Sequence, residues 1–451
     1  MATSPLTTHR IFHTWWPLAA SWLLMGVELP AISAVIARLA NPEINLAAYG
    51  GIIFPLALII ESPIVMLLAA STALSKDWAS FVKIRKFMMV AGATLTLLHI
   101  LVAFTPLYYV VVEKLLAVPQ EIVEPAHLGF KIILPWTWSI AYRRFHQGLL
   151  IRFGHSKAVS TGTLIRLSAD LIVLGTGYAI HTIPGTIVAA SAVVAGVISE
   201  AIYAGIVTRP VIKHELRPAP AIETPLTLRV FFIFYVPLVM TSLLTLLIQP
   251  IGAAALSRMP RAIDSLATWS VVSGLVFMLR SFGIAYNEVV VALMDEYKSA
   301  RRLWNFAIYL ILVTTGAWLL IMATPLSKFW FQTVSALPTN LATLAQIGIW
   351  ITLPMPALAV LQSWYQGAIL HSQKTKGITE AVMIYIFFNI FTLVLGVVWG
   401  KVIGLYIGLA SFVLSTFIQT VWLWVRGKHA IYAVYRRDSS EVSFPPLEIV
   451  S

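Results

Sequence analysis

No cysteine occurs among the 451 residues. Disulfides, thiolate metal centres and cysteine nucleophiles are therefore excluded. Charge is scarce as well. Asp, Glu, Lys and Arg make up 11% of the chain, where soluble domains carry about 25%. Acids are the rarer sign, 19 against 31 bases, which leaves a formal net charge of +12. The chain holds no "HExxH", no paired catalytic aspartate motif and no serine–histidine constellation, so nothing points to an intramembrane enzyme, a metal site or a cofactor. No stretch resembles an ion filter, which argues against a passive channel.

Apolar residues dominate instead, at 59%, with 15 Trp and 15 Tyr to form interfacial belts. Twelve apolar runs are long enough to cross a bilayer: about 13–38, 47–73, 87–110, 127–150, 159–180, 185–208, 229–256, 264–293, 304–326, 341–370, 378–399 and 402–425. The opening "MATSPLTTHRIFHTWW" leads into a run too long for a signal-peptide core and reads as a retained first helix. The expected fold is an all-α membrane protein of 12 transmembrane helices. Alternate loops are basic: Lys76, Lys83, Arg85 and Lys86; Arg152 and Lys157; Arg209, Lys213 and Arg217; Lys298, Arg301 and Arg302; Lys374 and Lys376. The positive-inside rule then places both termini in the cytoplasm. The same rule accounts for the net charge through the lipid bilayer, with no nucleic acid needed as partner.

The Pro-rich segment "TRPVIKHELRPAPAIETPLTLR" (208–229) lies at the midpoint of the chain. It reads as a linker, giving a first six-helix lobe (1–208), a linker (209–228), a second six-helix lobe (229–426) and a cytoplasmic tail (427–451). The halves repeat. "TPL" at 105–107 recurs at 324–326, "LP" at 134–135 recurs at 353–354, and "HQG" at 146–148 matches "YQG" at 365–367. Gly177 and Gly185 match Gly396 and Gly404. All of these pairs are offset by 219, while Pro17, Pro30 and Arg38 match Pro237, Pro250 and Arg258 at 220. Six spans per half make this a parallel repeat, an architecture that holds substrate between lobes and alternates access by rocking.

Ionisable residues inside spans are functional candidates by default. In the first half they are Glu28, Glu61, Arg143, Arg144, Arg166, Asp170 and Glu200. Arg166 and Asp170, four apart, share a helix face and are placed to pair. The repeat maps Glu61 to Arg280, Arg144 to Ser363, Arg166 to Tyr385, Asp170 to Asn389 and Glu200 to Gln419. One lobe keeps a titratable cluster while the other keeps a polar wall. Arg143, Arg144, Arg166, Arg280 and Asn389 are the candidate substrate-binding residues, because guanidinium groups stay protonated and neutralise an anion in a dry bundle. Glu28, Glu61 and Asp170 are the candidate ion-coupling residues. The competing structural readings are that Arg143 and Arg144 snorkel to lipid phosphate, that Glu200 serves a static pair, and that His99 and His146 are packing residues.

Several stretches resemble the MOP flippase superfamily, which includes the MATE transporters. They are most similar to the progressive ankylosis (ANK) family. The matching stretches are "WWPL" (15–18), "LAAYG" (46–50), "VAGATLTLLHILVAF" (90–104), "HQGLL" (146–150), "VPL" (236–238), "QPI" (249–251), "SR" (257–258) and "LPMPALAVLQSWYQGAILHSQKT" (353–375). The resemblance covers most of 12–425. It implies a MATE-like secondary transporter that moves a small-molecule solute outward; the chain is expected to act as a monomer. ANK-like proteins are associated with anions such as pyrophosphate, nucleotides or citrate. MATE transporters expel organic cations against protons or sodium, some through acids on helices 1 and 5, which Glu28 and Asp170 resemble. An anion exporter, a proton- or sodium-coupled cation antiporter and a lipid-linked saccharide flippase all fit the residues at this point.

Overall fold

The computed structural model describes residues 6–222, 225–372 and 376–440. All their elements are helical, with no strand among the described residues. The first half comprises α1 (Thr8–Ile36), α2 (Pro42–Leu74), α3 (Trp78–Phe104), α4 (Gln120–Ile132 continuing as Leu134–Arg152), α5 (Ser156–Ile180) and α6 (Gly185–Leu216). The second comprises α7 (Leu228–Ser257), α8 (Ala262–Leu293), α9 (Ser299–Ala323), α10 (Thr339–His371), α11 (Lys376–Trp399) and α12 (Gly404–Ser440). Eleven of these are long and apolar enough to cross a membrane. The remaining one is α4, the helix that carries Arg143, Arg144 and Arg152. The outer surface is apolar too, with Val398 80% and Ile172 69% exposed. Side chains placed so belong in lipid.

Two segments depart from the expected boundaries. The linker begins late, because α6 continues through a wide π-turn to Leu216. The final helix does not end near residue 425 but runs to Ser440. Its end is held by Asp438, which accepts from the Ala300 amide at 2.9 Å, and by Arg437, whose Nη2 donates to the Met294 carbonyl at 3.0 Å. Leu6 donates from its amide to the neighbouring Tyr297 carbonyl at 3.0 Å. Both ends of the described chain therefore lie on one face. Lys374 and residues 441–451 lie outside the described residues.

The repeat is structural as well as textual. Thr7 and Thr227, offset by 220, each cap the helix that opens their half, accepting from Arg10 N at 3.3 Å and Val230 N at 3.2 Å. Asn45 accepts from the Thr186 amide at 3.2 Å, and its counterpart Ser265 accepts from the Leu405 amide at 3.0 Å. Gly148 and Gly367 sit at equivalent helix crossings. A Cβ on Gly148 would lie 2.6 Å from the Leu68 carbonyl oxygen, and one on Gly367 would lie 2.7 Å from Val290 Cγ1. The recurring "HQG" and "YQG" thus mark where α4 meets α2 and α10 meets α8. The change of offset from 220 to 219 also has a physical seat. Residues 47–53 of α2 form a π-turn, whereas α8 is regular through its matching stretch. A π-turn accommodates one extra residue within a helix.

The halves meet along two equivalent seams, α1 on α8 and α7 on α2. On the face opposite the termini the seams are latched symmetrically. Arg38 donates from Nη1 to the Val334 carbonyl at 2.9 Å and from Nη2 to the Thr333 carbonyl at 2.6 Å. Arg258 donates to the Leu116 and Leu115 carbonyls at 3.0 and 2.7 Å. Each arginine thereby caps the end of a short π-turn, Val110–Leu115 or Phe329–Val334, in the opposite half. Asn340 adds a bond to Glu43 Oε1 at 2.9 Å. Net hydrogen bonds of this kind contribute about 0.5–1.5 kcal/mol each, so Arg38→Ala/Arg258→Ala is expected to shift the closed population by about tenfold or more. Because the chain lacks cysteine, a Glu43→Cys/Asn340→Cys pair and a short thiol cross-linker report this directly. Unchanged cross-linking yield in the arginine-deleted background would refute the latch.

Candidate functional site

Adjacent positions on a helix point about 100° apart, and the two arginines of α4 accordingly have different fates. Arg143, 5% exposed, forms an ion pair with Glu200 of α6, 1% exposed. Gln147, one turn along α4, donates to the other Glu200 oxygen at 2.8 Å. Arg166 of α5 binds Glu28 of α1 at 2.8 Å and approaches Glu200 at 3.6 Å. The expected pairing of Arg166 with Asp170 does not form. The guanidinium of Arg166 reaches across to α1, so one chain of charges, Glu28–Arg166–Glu200–Arg143, ties α1, α4, α5 and α6 together.

Three groups in this region stand apart from that chain. Arg144 has no ion pair or hydrogen bond among the described residues, its Nε is buried and unpartnered, and it lies in the field of Glu61 and Glu200. Glu61 is buried with an unpartnered Oε2, facing the charges of Arg143 and Arg144. Asp170 is buried with its carboxyl against that of Glu28, and no other donor among the described residues meets its oxygens. Gly196 makes the room for it, since a Cβ there would overlap the Asp170 carboxylate and lie 3.0 Å from Arg166 Cγ. The Tyr49 hydroxyl is buried next to Glu28 and Asp170, also without a partner. Four carboxylates (Glu28, Glu61, Asp170, Glu200) thus face three guanidinium groups (Arg143, Arg144, Arg166). One carboxylate is left over. Side-by-side carboxylates repel unless a proton or cation lies between them.

His99 behaves as a packing residue. Its ring nitrogens bond to Thr137 Oγ1 at 2.9 Å and the Phe130 carbonyl at 3.0 Å. His146 packs beside the Tyr142 ring, tilted by 45° with 4.3 Å between centroids.

The second half answers each element in another chemistry. Gln362 and Gln419 occupy the places of Arg143 and Glu200, and the ion pair becomes a neutral amide bond of 2.8 Å. Trp269, Arg280, Tyr385 and Asn389 occupy the places of Tyr49, Glu61, Arg166 and Asp170, and all four line one cavity of about 240 Å³. No carboxylate borders it among the described residues. Arg280 makes no ion pair or hydrogen bond among the described residues; its Nε is buried and unpartnered, and its guanidinium lies over the Phe412 ring, 5.1 Å from the centroid. Asn389 is 4% exposed with Oδ1 unpartnered, its backbone carbonyl taken by Ser411 Oγ at 2.9 Å. Leu29 of α1 closes the cavity from the first half.

Of the residues singled out from sequence, Arg280 and Asn389 come together at the cavity. Arg143 and Arg166 are committed to ion pairs, and Arg144 stands unpaired beside Glu61. The aromatic walls Trp269 and Phe412, the Tyr49 hydroxyl and the Gln362–Gln419 bond were not singled out. The last had a signal, because adding 219 to Arg143 gives Gln362.

No family model matches the sequence, and no curated protein matches it. Solved structures do match in fold. An inward-facing multidrug resistance MATE family transporter of the MOP superfamily aligns at 13% identity over 93% of this chain and 99% of its own, TM-score 0.68. The lipid II flippase MurJ, in an inward closed conformation, aligns at 15% identity over 94% and 91%, TM-score 0.66. A MOP superfamily transporter from Pyrococcus furiosus, described as having a binding pocket of reverse polarity that suggests a different function, aligns at 13% identity over 96% and 97%, TM-score 0.60. At these identities the likeness shows the fold. The chain has the two-lobed, MATE-like fold that these solved structures share.

Proposed function

We propose that this protein is a secondary active transporter of the MOP type that moves a small organic or phosphate-bearing anion by alternating access between its halves. The observation that carries this reading is Arg280: a guanidinium that lines a cavity within the bundle with no carboxylate on its border. A charge held among apolar helices needs a counter-charge, and a bound anion supplies it. Asn389 offers a second polar contact, and Arg144, outside this cavity, is another buried arginine with no ion pair among the described residues. Arg143 and Arg166 hold the first half together. Glu28, Glu61 and Asp170 form the coupling set, where the surplus carboxylate takes up a proton or sodium ion. A cation antiporter would need an acid facing this cavity, whose described lining carries Arg280 and no acid. A reversed pocket has a parallel in the Pyrococcus furiosus neighbour. Both termini are placed in the cytoplasm, with export as the direction that the family resemblance implies.

The test is uptake into proteoliposomes of labelled citrate, pyrophosphate and a monocarboxylate beside a cationic dye, for wild type and Arg280→Gln. Anion uptake is expected to fall at least ~10-fold in the variant, since a charge-assisted contact is removed. Dye uptake that survives Arg280→Gln and requires Glu28 would overturn the anion reading.

A further inference from the structure

We infer that the Arg280 cavity takes a monovalent organic anion with a flat aromatic body, a planar carboxylate, in preference to pyrophosphate or another polyanion. This rests on the anion reading of the same site and narrows its substrate class. Among the described residues, the cavity border carries a single cation and no lysine. One guanidinium neutralises one carboxylate in bidentate fashion. The further charges of a polyanion would face apolar walls with nothing to compensate them.

The walls are suited to a ring. Trp269, Phe277, Phe412 and Tyr385 border the space, and the Arg280 guanidinium already lies over Phe412. A carboxylate bound to that guanidinium directs its attached ring among the aromatic faces, where offset or edge-to-face contact adds to burial. The unpartnered Asn389 Oδ1 accepts a hydrogen bond, so a hydroxyl or amine substituent on the ligand would find a partner there. The size agrees. A volume near 240 Å³ is about eight waters' worth at ~30 Å³ each, enough for a one-ring acid and small beside usual drug-sized pockets. Beside the cavity, Gly252 leaves open space where a side chain would intrude.

The test uses the full chain in lipid nanodiscs with labelled benzoate as probe. Competitors are pyrophosphate, citrate, cyclohexanecarboxylate and benzylamine. Benzoate is expected to bind saturably and to be displaced poorly by the polyanions and by benzylamine. Arg280→Gln should weaken binding at least ~10-fold, with Arg280→Lys retaining part of it. Phe412→Ala should erase most of the preference for benzoate over cyclohexanecarboxylate. Equal binding of those two acids by wild type would refute the aromatic requirement. Pyrophosphate or citrate displacing labelled benzoate more strongly than unlabelled benzoate does would overturn the inference while leaving anion transport standing. Benzoate binding by Arg280→Gln at the wild-type level would overturn it as well. Benzoate bound through Arg280 but never carried across proteoliposomes would instead overturn the transport reading and leave the ligand class intact.

Discussion

Replacing Glu200 by alanine is expected to destabilise the solubilised protein by about 3–5 kcal/mol, the range for breaking a buried ion pair. The reason is the partner left behind. Arg143 is itself buried and has no second carboxylate within ion-pair distance among the described residues, and Arg166 loses one of its two acidic contacts. Gln419→Ala removes the matching group of the second half and leaves only the neutral Gln362 amide unpaired, at about 1–3 kcal/mol. Chemical unfolding followed by intrinsic fluorescence, with 15 Trp as reporters, gives both values under one condition. Arg143→Leu in the Glu200→Leu background should recover much of the loss, because apolar replacement of a whole buried pair is often neutral or favourable. Equal losses for Glu200→Ala and Gln419→Ala would mean that the charge network contributes nothing special.

Asp170→Asn is expected to lower gradient-driven uptake at least ~10-fold while leaving exchange of labelled for unlabelled substrate near wild type. Asparagine keeps the shape and removes the surplus negative charge beside Glu28. Exchange needs only rocking with substrate bound, whereas uphill transport needs the coupling ion. The second half provides a natural precedent, since Asn389 already occupies the equivalent place within the cavity. Loss of both activities would assign Asp170 to substrate or to folding instead. Glu61→Gln serves as the companion, because Glu61 faces Arg143 and Arg144 and belongs to the same charge count.

Much of this arrangement is legible in the residues. Apolar runs mark the spans, and a constant offset reveals the duplication. Applied residue by residue, that offset alone pairs Glu61 with Arg280 and Asp170 with Asn389. The partnership of the arginines is not legible. Arg166 and Asp170 have ideal helical spacing, but Arg166 turns to Glu28 because α1 presents a carboxylate within reach. Neighbours in sequence, Arg143 and Arg144 differ only in rotation about α4, and that rotation is fixed by Gly148 seated against α2. The cavity walls come from α1, α7, α8, α11 and α12, whose register depends on packing far apart in the chain. The single-residue change of offset is visible in sequence, but only the fold shows it as a π-turn.

The paired caps of Arg38 and Arg258 have a consequence for what this machine can sense. Their acceptors are main-chain carbonyls, which do not titrate, and arginine stays charged at any physiological pH. These clasps are therefore blind to acidity and present no carboxylate for salt to screen. The two clasps are related by the internal symmetry, so a rocking of the halves that opens this face has to break both. On the transporter reading proposed above, the candidate coupling acid Glu28 and the Arg38 clasp share one rod, because α1 carries Glu28 and ends two residues before Arg38.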